Sequence, residues 1–78
     1  MPTFPPMTAR EVETVLRRAG FVLSRQTGHR IWTRGNFSVP VPAHRGDLKV
    51  GTRRSILKLS GMSLDEFLAF RDRAGDRR

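Results

Sequence analysis

Apolar residues recur along this chain with a period that changes from helical to extended and back. Thr8 is followed three residues later by Glu11, a T-x-x-E capping box in which each side chain takes up an orphan backbone N–H at a helix start. Val12, Val15, Leu16 and Ala19 then fall at i, i+3, i+4 and i+7, one face of a helix. Arg10, Glu13, Arg17 and Arg18 lie largely on its other sides, and Gly20 suits the position just past its end. A helix over residues 9–19 is predicted. From Phe21 the period becomes two, and a strand is expected over residues 21–26, with Phe21 and Leu23 on one face and Val22 and Ser24 on the other. Thr27-Gly28 reads as a two-residue turn. A second strand follows over residues 29–34, with His29, Ile31 and Thr33 on one face and Arg30, Trp32 and Arg34 on the opposite one. Gly35-Asn36 turns the chain into a third strand over residues 37–41. Pro40 and Pro42 lack the N–H a ladder needs, so this strand should be an edge or end early.

A polar loop over residues 43–50 leads at Gly51-Thr52 into a second helix. Ile56 and Leu59 form its apolar side with Thr52, Arg54 and Lys58 share another side, and Gly61 ends it. Ser63 and Glu66 make a second capping box before a short helix bearing Leu64, Phe67 and Leu68. The fold class expected is α+β: α-β-β-β-α with a three-stranded antiparallel sheet, helices on one face, and a short C-terminal helix. The other sheet face is left free for a ligand. The same element order characterises double-stranded-RNA-binding domains. The chain divides into an irregular N-terminal arm over 1–7, rich in proline, a single domain over 8–70, and a basic tail over 71–78 that should fray.

Composition narrows the partner. A chain of 78 residues is one domain, and its small core supplies only about 3–5 kcal/mol of net stability. With no cysteine, neither a disulfide framework nor a Cys-based zinc site can add to that, so a partner protein is a plausible substitute. Fifteen Lys and Arg against seven Asp and Glu give a net charge of +8, the footprint of a protein that meets polyanions. Nucleic acid is favoured over an anionic membrane surface, and no stretch approaches the ~20 apolar residues of a membrane span. Residues 1–7 lack a basic region followed by an apolar run, so no signal peptide is expected and the location expected is cytoplasmic.

Candidate chemistry centres on two histidines, His29 and His44. His29 follows Gly28 at a hairpin turn, where a rigid strand would present it at the rim of the sheet. It is the residue type best suited to proton transfer near neutral pH, although on spacing alone a lone histidine in a basic chain is more often a solvated surface residue. No cofactor and no metal are expected, because the acids are scattered and none is spaced with the histidines. The candidate RNA-binding residues are Arg30 on the hairpin, His44, Arg45 and Lys49 in the loop, and Arg53, Arg54 and Lys58 on the second helix. A phosphate could meet these side chains and the free N–H groups of that helix. Trp32 could stack on a base but more readily covers core surface.

These residues, taken together, resemble the HicA family of toxins over about residues 8–68. The resemblance is carried by Gly28-His29, Trp32, Val39-Pro40-Val41-Pro42, His44, Asp47-Leu48-Lys49, the run from Gly51 to Lys58, Gly61-Met62-Ser63 and Glu66-Phe67-Leu68. Its most specific part is G-T-R-R-S-I-L-K followed by G-x-S. The resemblance implies a small RNase of a type II toxin–antitoxin module, an mRNA interferase with a double-stranded-RNA-binding-like fold and one essential histidine, neutralised by a HicB antitoxin that covers the active site. His29 stands at the family histidine. Here the family Gly-Ser-His becomes Thr27-Gly28-His29, so Thr27 and Gly28 form the turn that supports the site and Arg30 follows it. The implied mechanism is metal-free cleavage of mRNA, with His29 as general base or acid–base shuttle and Arg30, Lys49 and Arg53 stabilising the phosphorane; His44 is either its acid partner or an RNA contact. Any contact with DNA would be indirect, through the antitoxin. The alternative is a non-catalytic, small basic RNA-binding or ribosome-associated protein.

Overall fold

The computed structural model describes residues 4–72, Thr27 by its backbone only. The elements run α1 (Ala9–Arg18), β1 (Val22–Thr27), β2 (His29–Arg34), β3 (Phe37–Val41), α2 (Val50–Ser60) and α3 (Leu64–Arg71). The three strands form one antiparallel sheet in the order β1-β2-β3, so β2 is central. This is the α-β-β-β-α arrangement of double-stranded-RNA-binding domains, with α3 appended.

Both capping boxes form as their spacing dictates. Thr8 Oγ1 accepts from Glu11 N and Thr8 N donates to the Glu11 carboxylate. Ser63 and Glu66 repeat the arrangement at α3. At α2 the N-cap is Lys49, which makes no side-chain capping bond, and Gly61 closes the helix in the left-handed conformation. α1 buries Val12, Val15 and Leu16 and packs against α3, while α2 packs against β3. Trp32, Val39 and Val41 are the sheet side chains beneath the helices. Each sits on the β2 or β3 face that also carries Arg30 and Arg34, as strand alternation requires.

Four expectations are revised. The first turn of the hairpin is tighter than two residues: Thr27 pairs directly with His29 and Gly28 alone, at φ +74°, joins them. The buried stripe of α2 is Arg53, Ile56 and Ser60, whereas Leu59 is 43 % exposed. Of the arm, residues 4–7 are described, and they are part of the core, because Phe4 and Met7 are buried and the Phe4 ring centroid lies 5.5 Å from that of Phe67. Leu48 N donates to Met7 O, and Thr8 bridges Asp47, which ties the arm to the loop before α2. Lastly, β1 contains a bulge: Leu23 pairs with Trp32 and Arg25 with Ile31, so Ser24 is extra. The expected fraying of the tail falls on residues 73–78, outside the described residues, beyond its first two members, Arg71 at the end of α3 and Asp72 at its C-cap.

Candidate active site and basic groove

His29 opens β2 one residue after the Gly28 turn, and its side chain is exposed. It shares its sheet face with Ile31 and Thr33 on β2, with Ser38 and Pro40 on β3, and with Val22 on β1. This face stays open. Val22 is 62 % exposed, and His29 and Ser38 are exposed too. The imidazole makes no hydrogen bond or ion pair with a described side chain, so nothing described in the fold employs it.

The bulge changes which cation accompanies His29. Unbroken alternation from Leu23 would turn Arg25 toward the helices. The extra residue, Ser24, reverses the parity, and Arg25 stands opposite Ile31 on the face of His29. The Ser24 and Thr33 hydroxyls hydrogen-bond to each other on this same face, as expected when both bulge residues project to one side. Arg25 and His29 are therefore diagonal neighbours across the β1–β2 ladder, a spacing of about 7–8 Å between Cα atoms that a long side chain can cover. In the sequence Arg25 is simply an arginine within the first predicted strand. The signal that would single it out is the placement of the bulge, which no residue type in V-L-S-R-Q-T announces.

The other predicted residues divide sharply. The sequence places Arg30 and Arg53 at the phosphorane, and the structure gives both other employment. Arg30 lies on the opposite sheet face from its neighbour His29. Its Nε donates to Glu13 Oε2 at 2.5 Å, and that same oxygen accepts from the buried Trp32 Nε1 at 2.9 Å. Arg53 is only 8 % exposed. Its Nη1 donates to Leu48 O at 2.5 Å, its Nη2 to Phe4 O at 3.3 Å, and its guanidinium carbon stands 5.4 Å from the Phe4 ring centroid. A side chain so enclosed has no face left for RNA. Trp32 is buried at 2 % exposure and cannot stack on a base, though Arg17 lies over its ring at 5.4 Å.

Arg45, Lys49, Arg54 and Lys58 remain exposed, and their side chains make no described hydrogen bond or ion pair. Arg54 and Lys58 are one turn apart on the solvent side of α2. His44 is exposed and lines two neighbouring grooves. One is enclosed by Pro42, Leu48, Lys49 and Thr52 at the start of α2; the other lies between α1 and the loop after β3. His29 lines neither of these two grooves. Among the described residues, no three His, Cys, Asp or Glu side chains gather as metal ligands would, and no helix is long and apolar enough to cross a membrane.

The acids explain why the surface is so positive. Glu11 and Glu66 are spent on capping boxes, Glu13 on Arg30 and Trp32, and Asp72 on Arg71. Four of the carboxylates thus serve local structure, and Arg25, Arg45, Lys49, Arg54 and Lys58 form no ion pair with a described residue.

No curated protein matches the chain. The family model described as HicA toxin of bacterial toxin-antitoxin matches residues 9–62, from the first residue of α1 to just past the left-handed glycine that ends α2. That span covers more than half of the chain and includes His29, the Gly28 turn and the start of α2, so this protein belongs to the HicA toxin family of bacterial toxin–antitoxin modules.

Proposed function

We propose that this toxin is a metal-independent endoribonuclease that cleaves mRNA, with His29 as the catalytic base, and that it thereby blocks translation and growth. The observation that carries the reading is the exposed His29 on a rigid strand end, unused by the fold and accompanied by Arg25 on the same face. The His29 imidazole removes the proton of a ribose 2′-OH. The freed oxygen attacks the adjacent phosphorus, the P–O5′ bond breaks, and the 5′ oxygen takes a proton from solvent. The products are a 2′,3′-cyclic phosphate and a 5′-OH. Arg25 takes the place that the sequence alone assigns to Arg30 and Arg53: its guanidinium meets the charge that builds on the phosphorane oxygens. Lys49, His44, Arg45, Arg54 and Lys58 contact the RNA backbone elsewhere.

The antitoxin is HicB-like and covers the open sheet face, where exposed Val22 and half-buried Ile31 and Pro40 offer apolar surface beside His29. DNA contact by the complex comes through the antitoxin.

Purified wild type and His29→Ala are compared on RNA in EDTA. Wild type should cleave, and the variant should be slower by about 10²–10⁴-fold, the usual worth of a positioned base. Equal rates would remove His29 from the mechanism. Cleavage abolished by EDTA would overturn the metal-free chemistry. RNA binding by wild type without any cleavage would make the chain an RNA-binding module instead.

A further inference from the structure

α1 has two working faces. Its buried stripe of Val12, Val15, Leu16 and Ala19 seals the core. Arg10, Glu13, Thr14 and Arg17 form another stripe at i, i+3, i+4 and i+7, which makes a row about 10 Å long at 1.5 Å per residue. This row is one wall of a groove of about 490 Å³ whose opposite wall is Pro42, Ala43 and His44, with Arg30 also lining it. Three guanidiniums and an imidazole therefore share one groove with a single carboxylate.

That carboxylate is already committed. Glu13 Oε2 takes the Nε of Arg30 and the Nε1 of Trp32, which fixes Arg30 by its inner nitrogen and leaves its two terminal nitrogens as donors. The Arg17 guanidinium carbon lies 5.4 Å from the Trp32 ring centroid, and its N–H groups make no described hydrogen bond or ion pair, so they stay available as donors. The Arg10 side chain makes no described hydrogen bond or ion pair. Planar guanidinium forks with free donors suit phosphate oxygens.

We infer that this groove, on the opposite side of the sheet from His29, holds the phosphate backbone of the RNA strand outside the scissile bond. The inference rests on the proposal that the ligand is RNA. The lining argues for a nucleic-acid backbone over a protein. The anchors of protein interfaces, Trp, Tyr and Arg above all, sit in well-packed pockets that desolvate fully. The apolar lining here is only Ala9, Pro42 and Ala43, and the one aromatic ring beneath it is buried. The exposed large apolar residues Val22, Leu23, Phe37, Val50 and Leu59 all lie outside this groove. His44 lines both this groove and the one at the start of α2, so the track continues toward Lys49. Since His29 and Arg30 are adjacent but face opposite ways, the strand reaches His29 around the hairpin tip at Gly28.

The test uses a short single-stranded RNA with every 2′-OH methylated, so that it binds without being cleaved. Affinity is read by fluorescence anisotropy from 50 to 200 mM salt for wild type and for Arg10→Gln/Arg17→Gln. Both arginines are exposed, and retained circular dichroism confirms that the variant folds. Each lost phosphate contact lowers the log–log salt slope by about 0.7, so the double variant should lose about 1.4 from the slope, and its affinity drop across this salt range should shrink about 7-fold. An unchanged slope and affinity in the variant, with wild type binding normally, would overturn the groove and leave the RNA reading standing. Absence of RNA binding by wild type would overturn both. A variant that binds RNA as wild type does but no longer associates with its antitoxin would reassign the groove to protein docking and overturn the inference.

Discussion

Arg53 offers the sharpest test of the tertiary structure, because its sequence context and its position give opposite expectations. In G-T-R-R-S it reads as half of a basic pair at a helix start, ready for phosphate. In the fold it is enclosed, with its guanidinium on the carbonyls of Leu48 and Phe4 and over the Phe4 ring. It fastens the arm and the pre-helix loop to α2. Replacement by Met keeps an apolar stem and leaves little cavity. Two hydrogen bonds from a charged donor are lost, each worth about 1.5–3 kcal/mol, or roughly 4 kcal/mol together. The change also removes a desolvated cation whose Nε has no partner and which stands one turn into α2, where the helix dipole opposes positive charge. These reliefs offset about half, leaving a net loss of about 2 kcal/mol. For a domain of this size that lowers Tm by about 8–16 °C. Thermal unfolding of Arg53→Met is followed by far-ultraviolet circular dichroism and by Trp32 fluorescence. RNA affinity is measured on the folded fraction, where it should match wild type. A Tm within about 2 °C of wild type together with roughly tenfold weaker RNA binding would refute the reasoning and return Arg53 to the RNA surface.

Two further predictions probe the packing. Ile56→Ala should cost about 2–5 kcal/mol, whereas Leu59→Ala should stay within about 0.5 kcal/mol, as read from urea midpoints; the reverse order would mean that α2 is rotated from the face described. Gly61→Ala and Gly28→Ala both place a side chain at positive φ, at about 1–2 kcal/mol each, but only at Gly61 does the new Cβ fall 2.5 Å from the Phe37 ring. Gly61→Ala should therefore be the less stable of the two in urea, and equal losses would show that Phe37 yields without cost.

Much of this protein is legible in its sequence alone. The two capping boxes specify where α1 and α3 begin, because a side chain three residues from a helix start can satisfy only nearby N–H groups. The apolar stripe of α1 and the alternation in β2 and β3 follow from fixed backbone periods, and so does the placement of His29 and Arg30 on opposite faces. The net charge of +8 points to a polyanion as the partner class, and His29 stands out as one of only two histidines.

Three decisions belong to the tertiary structure. Arg53 becomes a core residue because residues 4–7 and the pre-helix loop bring carbonyls around it, and the Phe4 acceptor is distant in sequence. Arg25 moves to the face of His29 because a bulge at Ser24 reverses the strand parity, and a bulge leaves no mark in a run of residues that all tolerate extended backbone. Arg10, Arg17, Arg30 and His44 become one groove because α1 packs across the sheet beside the loop after β3. Local sequence determines elements through short-range hydrogen bonds and period. Which side chains meet depends on contacts between elements, and there a charge is read as surface or core only once its neighbours are in place.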